Sequence, residues 1–153
     1  MNLVSGRYNP LLPTPTLVAG NPIPLLVDAY GRLIMALAKN WSVFSFPATA
    51  AQATITKAAI AGVSHVCNAI TASVACGATA QTPIQVVLRD GLTGAGTVLW
   101  TAALAAPANG VAKVSVSGLG IIGTAGNAMT LEFTAAGVAA SQEAVTLSGY
   151  DSQ

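Results

Sequence analysis

The sequence predicts an all-β fold, a jelly-roll-like antiparallel β-sandwich preceded by an extended, proline-rich N-terminal arm. Three observations predict it. Apolar and polar residues alternate with a period of two in several short segments, turn residues separate those segments, and six of the eight prolines fall before residue 50 of the 153.

The arm spans residues 1–49 and contains Pro10, Pro13, Pro15, Pro22, Pro24 and Pro47. Proline fixes φ and removes a backbone donor, so this density excludes helix and favours extended chain. Within the arm, residues 23–37 read as a hairpin: Ile23-Pro24-Leu25-Leu26-Val27 and Arg32-Leu33-Ile34-Met35-Ala36-Leu37 flank the turn Asp28-Ala29-Tyr30-Gly31. Leu11, Leu12, Leu17 and Val18 lie outside any obvious core and require a partner surface. Ile23, Leu25 and Arg32 in the hairpin, Tyr30 at its turn and Trp41 complete the expected partner-binding set. Trp41, Phe44 and Phe46 could be taken for a ligand platform, but packing onto the sandwich or a neighbouring subunit is the plainer reading.

Residues 50–153 form the sandwich. Ile84, Val86 and Leu88 fall on one strand face, as do Val98, Trp100, Ala102 and Leu104 on the next. Val114 and Val116 alternate with Lys113, Ser115 and Ser117; Met129, Leu131 and Phe133 alternate with Thr130, Glu132 and Thr134; Val145 and Leu147 repeat the pattern. The breaks carry turn chemistry in Asp90-Gly91, Gly94-Ala95-Gly96, Pro107-Ala108-Asn109-Gly110 and Gly126-Asn127. Residues 48–61 are alanine-rich, which suits a helix, but Thr49, Thr54, Ile55 and Thr56 favour strand, and strand is expected. Short strands with this punctuation predict two packed sheets.

Composition narrows the function. Hydrophobic residues make up 53% of the chain and charged residues 7%, against roughly 25% in ordinary soluble domains. A free monomer keeps itself apart from its neighbours with surface charge, and six basic and five acidic residues are few for that task. Such a surface suits a protein packed against copies or partners. No run approaches the ~20 apolar residues of a membrane span, and the N-terminus lacks the pattern of a secretion signal, so a cytosolic, non-membrane protein is expected. The basic residues are scattered, which argues against nucleic acid. Cys67 and Cys76 read as lying along one extended strand, roughly 30 Å apart, too far for a disulfide with each other, and free thiols are expected.

Catalytic and metal-binding patterns find little support. The single histidine, His65, has Ser64 on the opposite strand face, so no local Ser-His pair exists, and a histidine at a sheet surface or subunit contact is the expectation. His65 and Cys67 share a face, but a structural zinc site needs about four ligands. Asp90, Glu132 and Glu143 are separated in sequence and select no carboxylate site. Gly118-Leu119-Gly120-Ile121-Ile122-Gly123 spells a dinucleotide-binding pattern, with Glu143 twenty residues on. That pattern needs a helix after its third glycine, and Thr124-Ala125-Gly126-Asn127 leads straight into a period-two strand, so a loop at a sheet end is expected. No catalytic, cofactor or metal residues are assigned, and a non-enzymatic chain without cofactors is expected.

The stretch Pro24-Leu25-Leu26-Val27-Asp28-Ala29-Tyr30-Gly31-Arg32-Leu33-Ile34 resembles a hairpin element of tailed-bacteriophage virion proteins, in which Pro-Leu-x-x-Asp precedes Gly-Arg-Leu. Residues 82–91 with 96–100, 129–133 and 145–151 resemble the sandwich of small phage structural proteins. The resemblance implies a capsid decoration (cement) protein or a tail or head appendage, made in the bacterial cytoplasm and resident in the virion. It implies the major capsid protein and further copies of the chain, as a trimer or dimer, as partners, and it transfers no catalytic residues.

Overall fold

The structure, a computed structural model, describes residues 39–152. The expected hairpin at 23–37 lies outside them. Eight strands account for the regular structure of the described residues: β1 (Lys39–Ser45), β2 (Thr54–Lys57), β3 (Ser64–Ala75), β4 (Ile84–Asp90), β5 (Thr97–Leu104), β6 (Val111–Ile122), β7 (Met129–Phe133) and β8 (Gln142–Ser152). They form two four-stranded antiparallel sheets, ordered β1-β8-β3-β6 and β2-β7-β4-β5. Strands equidistant from the middle of the chain pair with one another: β1 with β8, β2 with β7, β3 with β6 and β4 with β5. The fold is a β-sandwich.

The period-two segments supply its core. Ile84, Val86 and Leu88 of β4 meet Met129, Leu131 and Phe133 of β7 on the inner face of the second sheet. Ile70, Ala72 and Val74 of β3 with Val145 and Leu147 of β8 line the first. Each large side chain so covered contributes about 1.5–3 kcal/mol relative to exposure, which fixes the register because a one-residue slip would turn it to water.

Three features depart from simple alternation. In β3 the pairing shifts between Cys67 and Ala69, leaving Asn68 as an extra exposed residue. His65 and Cys67 face inward before that bulge, and Ile70, Ala72 and Val74 after it. In β5 the register moves between Leu88–Trp100 and Arg89–Val98, so Leu99 is the extra residue. Val98 therefore does not share the face of Trp100, Ala102 and Leu104 as its spacing predicts; it is exposed, and Leu99 packs on the core instead. The Gly118–Gly123 stretch is not a loop at a sheet end. All but its last residue belongs to β6, where Gly118 and Gly120 at φ 72° and 61° let the edge strand bulge opposite Asn68.

Strand β1 belongs to the first sheet, although composition places its residues in the arm. The proline that weights this window, Pro47, lies beyond the strand, and Trp41 and Val43 pack against the core. The alanine-rich stretch 48–61 contains no helix; its ordered part is the strand β2.

Candidate functional site

The most concentrated chemistry among the described residues lies at one end of the sandwich, between the sheets. Antiparallel pairing sets His65 of β3 opposite Asp151 of β8, and Cys67 opposite Gly149, which in turn pairs with Trp41 of β1. Lys57, the last residue of β2, reaches the same place from the second sheet. The four side chains close on one another. His65 Nδ1 donates to Asp151 Oδ1 at 2.8 Å, and His65 Nε2 donates to the Ala58 carbonyl at 2.8 Å. Lys57 Nζ lies 3.7 Å from Asp151 Oδ2 and 5.5 Å from the centroid of the Trp41 ring. Trp41 and His65 meet edge to face, with centroids 5.9 Å apart at 83°.

Both oxygen partners of His65 are acceptors, so both ring nitrogens must carry protons. The imidazole is 1% exposed, so this charge is sustained by the paired carboxylate. Burial alone would raise the Asp151 carboxyl. The hydrogen bond from His65, the charge of Lys57 and the dipole of the Trp41 indole N–H outweigh it and hold the group below the usual carboxylate range. The indole contributes at longer range, because Trp41 Nε1 completes no hydrogen bond. Chemically, the cluster is a buried ionic plug. His65 Nε2 is occupied by the Ala58 carbonyl and so offers no lone pair to activate a hydroxyl.

Two further buried carboxylates serve backbone. Glu132 Oε1 accepts from Arg89 Nε at 2.6 Å, and the Gly94 N–H donates to the same carboxylate at 3.1 Å. The Thr130 hydroxyl donates to the Gly91 carbonyl at 2.7 Å, so the β4–β5 loop is drawn over the outer side of β7 and buries Thr130 and Glu132. Glu143 Oε2 accepts from the Ala53 N–H at 2.7 Å, while its Oε1 has no partner. Burial pushes the Glu143 carboxyl above the usual range, against the pull of the Ala53 and Gly137 N–H groups. Cys67 and Cys76 are free and buried, and burial pushes the Cys67 thiol up to about 11, far from the reactive thiolate. Among the described residues no three metal-ligating side chains come together, and no helix is long and apolar enough to cross a membrane.

Of the residues expected to grip a partner, Leu11, Leu12, Leu17, Val18, Ile23, Leu25, Tyr30 and Arg32 lie outside the described residues. Trp41 is described and turns inward to the plug, whereas Phe44 and Phe46 point to solvent, 73% and 67% exposed. The three aromatics therefore do not form one stretch. His65 is not at a sheet surface as expected, because Asp151 and the Ala58 carbonyl satisfy it inside. Sequence reading missed this pairing, which joins residues 86 apart. One signal was present: where charges are so few, each is a candidate for a structural ion pair.

No known family model matches this sequence, and no curated protein matches it.

Proposed function

We propose that the chain is a non-enzymatic virion structural protein, a capsid decoration or cement protein that binds and stabilises a phage head shell through its N-terminal arm and through contacts between copies. The observation that carries this reading is the near-absence of charge on the surface of the sandwich. Lys57 with Asp151, Arg89 with Glu132, and Glu143 hold their charges in buried or largely buried positions. Lys113 stands exposed on a surface otherwise made of Ser, Thr, Ala, Gly and Val. A surface without repulsion or steering suits permanent packing against a partner better than life as a free monomer.

The strand order supports the jelly-roll reading. Eight strands whose ends pair back across two sheets make the jelly-roll arrangement, an architecture used by viral shells and by lectins. Fold alone does not assign function. The second reading, a tail-fibre, spike or other appendage subunit that binds host saccharide or another receptor, draws on a shallow groove of about 540 Å³ lined by Gln81, Thr82, Gln85 and Thr134 among others. It contains no aromatic platform, which favours the cement reading.

The test adds the purified chain to phage heads assembled without it. Co-sedimentation reads retention and calorimetry reads the melting of the heads. Retention with a higher melting temperature, both lost when residues 1–38 are removed, supports the proposal. Retention that survives the removal takes the arm out of the mechanism, and a full chain that never co-sediments sinks the cement role.

A further inference from the structure

We propose that β1 is a self-pairing edge: two copies join β1 to β1 antiparallel about a two-fold axis near Val43. This merges their first sheets into one continuous sheet and brings the Phe44 and Phe46 of both copies together on its outer face. The inference deepens the preceding reading and rests on it in one respect, that the chain acts in contact with its own copies.

A sheet edge presents unpaired N–H and C=O groups, and proteins that must stay apart blunt their edges. The sandwich has four edges, β1 and β6 on one sheet and β2 and β5 on the other. Three are blunted. Strand β2 is four residues long, β5 is broken by the extra Leu99, and β6 carries Lys113 and is distorted at Gly118 and Gly120. Strand β1 has none of these defences. It runs seven residues in unbroken register with β8, and from Asn40 to Phe46 it contains neither charge nor proline. It also presents Phe44 and Phe46, the two most exposed large apolar side chains among the described residues, at 73% and 67%.

Charge selects the second copy as occupant. The one charged residue of the strand is Lys39, at its first position. Antiparallel pairing about Val43 puts Lys39 of each copy opposite Pro47 of the other, so the two lysine positions stand at opposite ends, roughly 27 Å apart and beyond the Debye length. Parallel pairing would set them side by side. In the antiparallel register Phe44 lies opposite Ser42 of the second copy and diagonal to its Phe44, within reach of an aromatic contact. The neutral middle of the strand offers nothing to an acidic or basic partner. Four phenylalanines cover at most roughly 600–1,000 Å² together, short of the ~1,200 Å² where stable interfaces begin. The pair is therefore a modest contact that strengthens when many copies are held on one particle.

The test uses the full chain and two variants, Phe44→Glu and Phe44→Lys, at an outward position where neither disturbs the core. Sedimentation velocity from about 1 µM to about 1 mM reads the dimer constant. The proposal expects a concentration-dependent dimer, weakened at least about tenfold in each variant. Mixing the two variants should restore it, because the carboxylate introduced in one copy then meets the ammonium introduced in the other across the axis. A wild-type chain that stays monomeric throughout overturns it. So does a dimer that neither variant weakens, or one that both weaken without rescue on mixing, since the edge would then pair with the chain's own residues 1–38 or another surface. Head binding is read separately, so a chain retained by heads but indifferent to Phe44 overturns the self-pairing and leaves the cement reading standing.

Discussion

At His65 a ring with two donors meets two acceptors, and the consequence is a stability that depends on Asp151. The Asp151 side chain is 9% exposed and its carboxyl is held below its ordinary value of 3.8. The unfolded chain therefore takes up this proton first as pH falls, and stability contributed by the pair is present above the unfolded value and lost as pH drops through the folded one. Glu143 has the opposite sign. Its folded carboxyl is raised, the folded chain takes the proton first, and stability rises as pH falls toward the ordinary carboxylate range. The measured acid limb is the sum of the two. Asp151→Asn should separate them: about 3 kcal/mol of stability lost near neutral pH, because the His65 and Lys57 charges lose their partner, and a flatter acid limb. Thermal melts of the two proteins across the acid range decide it. Parallel profiles would mean that Asp151 gains nothing from its neighbours.

At the scale of the element, β8 holds the first sheet together because it pairs with β1 on one side and β3 on the other. Gly149 is where the three strands come closest. A Cβ there would collide with the Val66 carbonyl and stand 2.9 Å from Cζ2 of Trp41. Gly149→Ala should cost about 3 kcal/mol, as overpacking against backbone does, and Ser148→Ala, which loses an exposed hydroxyl contact to Ser42, should cost about 0.5 kcal/mol or less. Denaturant midpoints at an unchanged slope would measure both, and a near-neutral Gly149→Ala would show that β8 can move away from β3. Nothing in the residues around Gly149 announces this constraint. The strands that were legible, at 84–88, 129–133 and 145–147, have one buried face and a strict period of two. The features that were not legible are set across strands. The extra Leu99 turns Val98 outward, β1 is recognised as a strand only by its pairing with β8, and the ionic plug joins His65 to a residue 86 positions away. The glycines at 118 and 120 were legible as non-helical, but their role in bending an edge depends on the bulge opposite them.

For the whole molecule the distribution of charge has a thermodynamic consequence. Contacts between charged surfaces weaken as salt screens them, over a Debye length of about 8 Å at physiological ionic strength. The outer side of the first sheet offers little to screen: Ser42 bonds Ser148, Thr71 bonds Ser115, and Lys113 is the exposed charge nearby. Association through this sandwich must then draw on apolar area at about 25 cal/mol per Å² and on hydroxyl and backbone hydrogen bonds. Its strength should change less than about twofold between low and moderate sodium chloride, increase in sulfate, and carry a negative heat-capacity change. Calorimetric titration or dilution of the full chain at several salt concentrations measures all three. A binding constant falling by tens of fold with added chloride would place the contact on charged residues of 1–38, Arg7 and Arg32 among them, and would move the adhesive surface off the sandwich altogether.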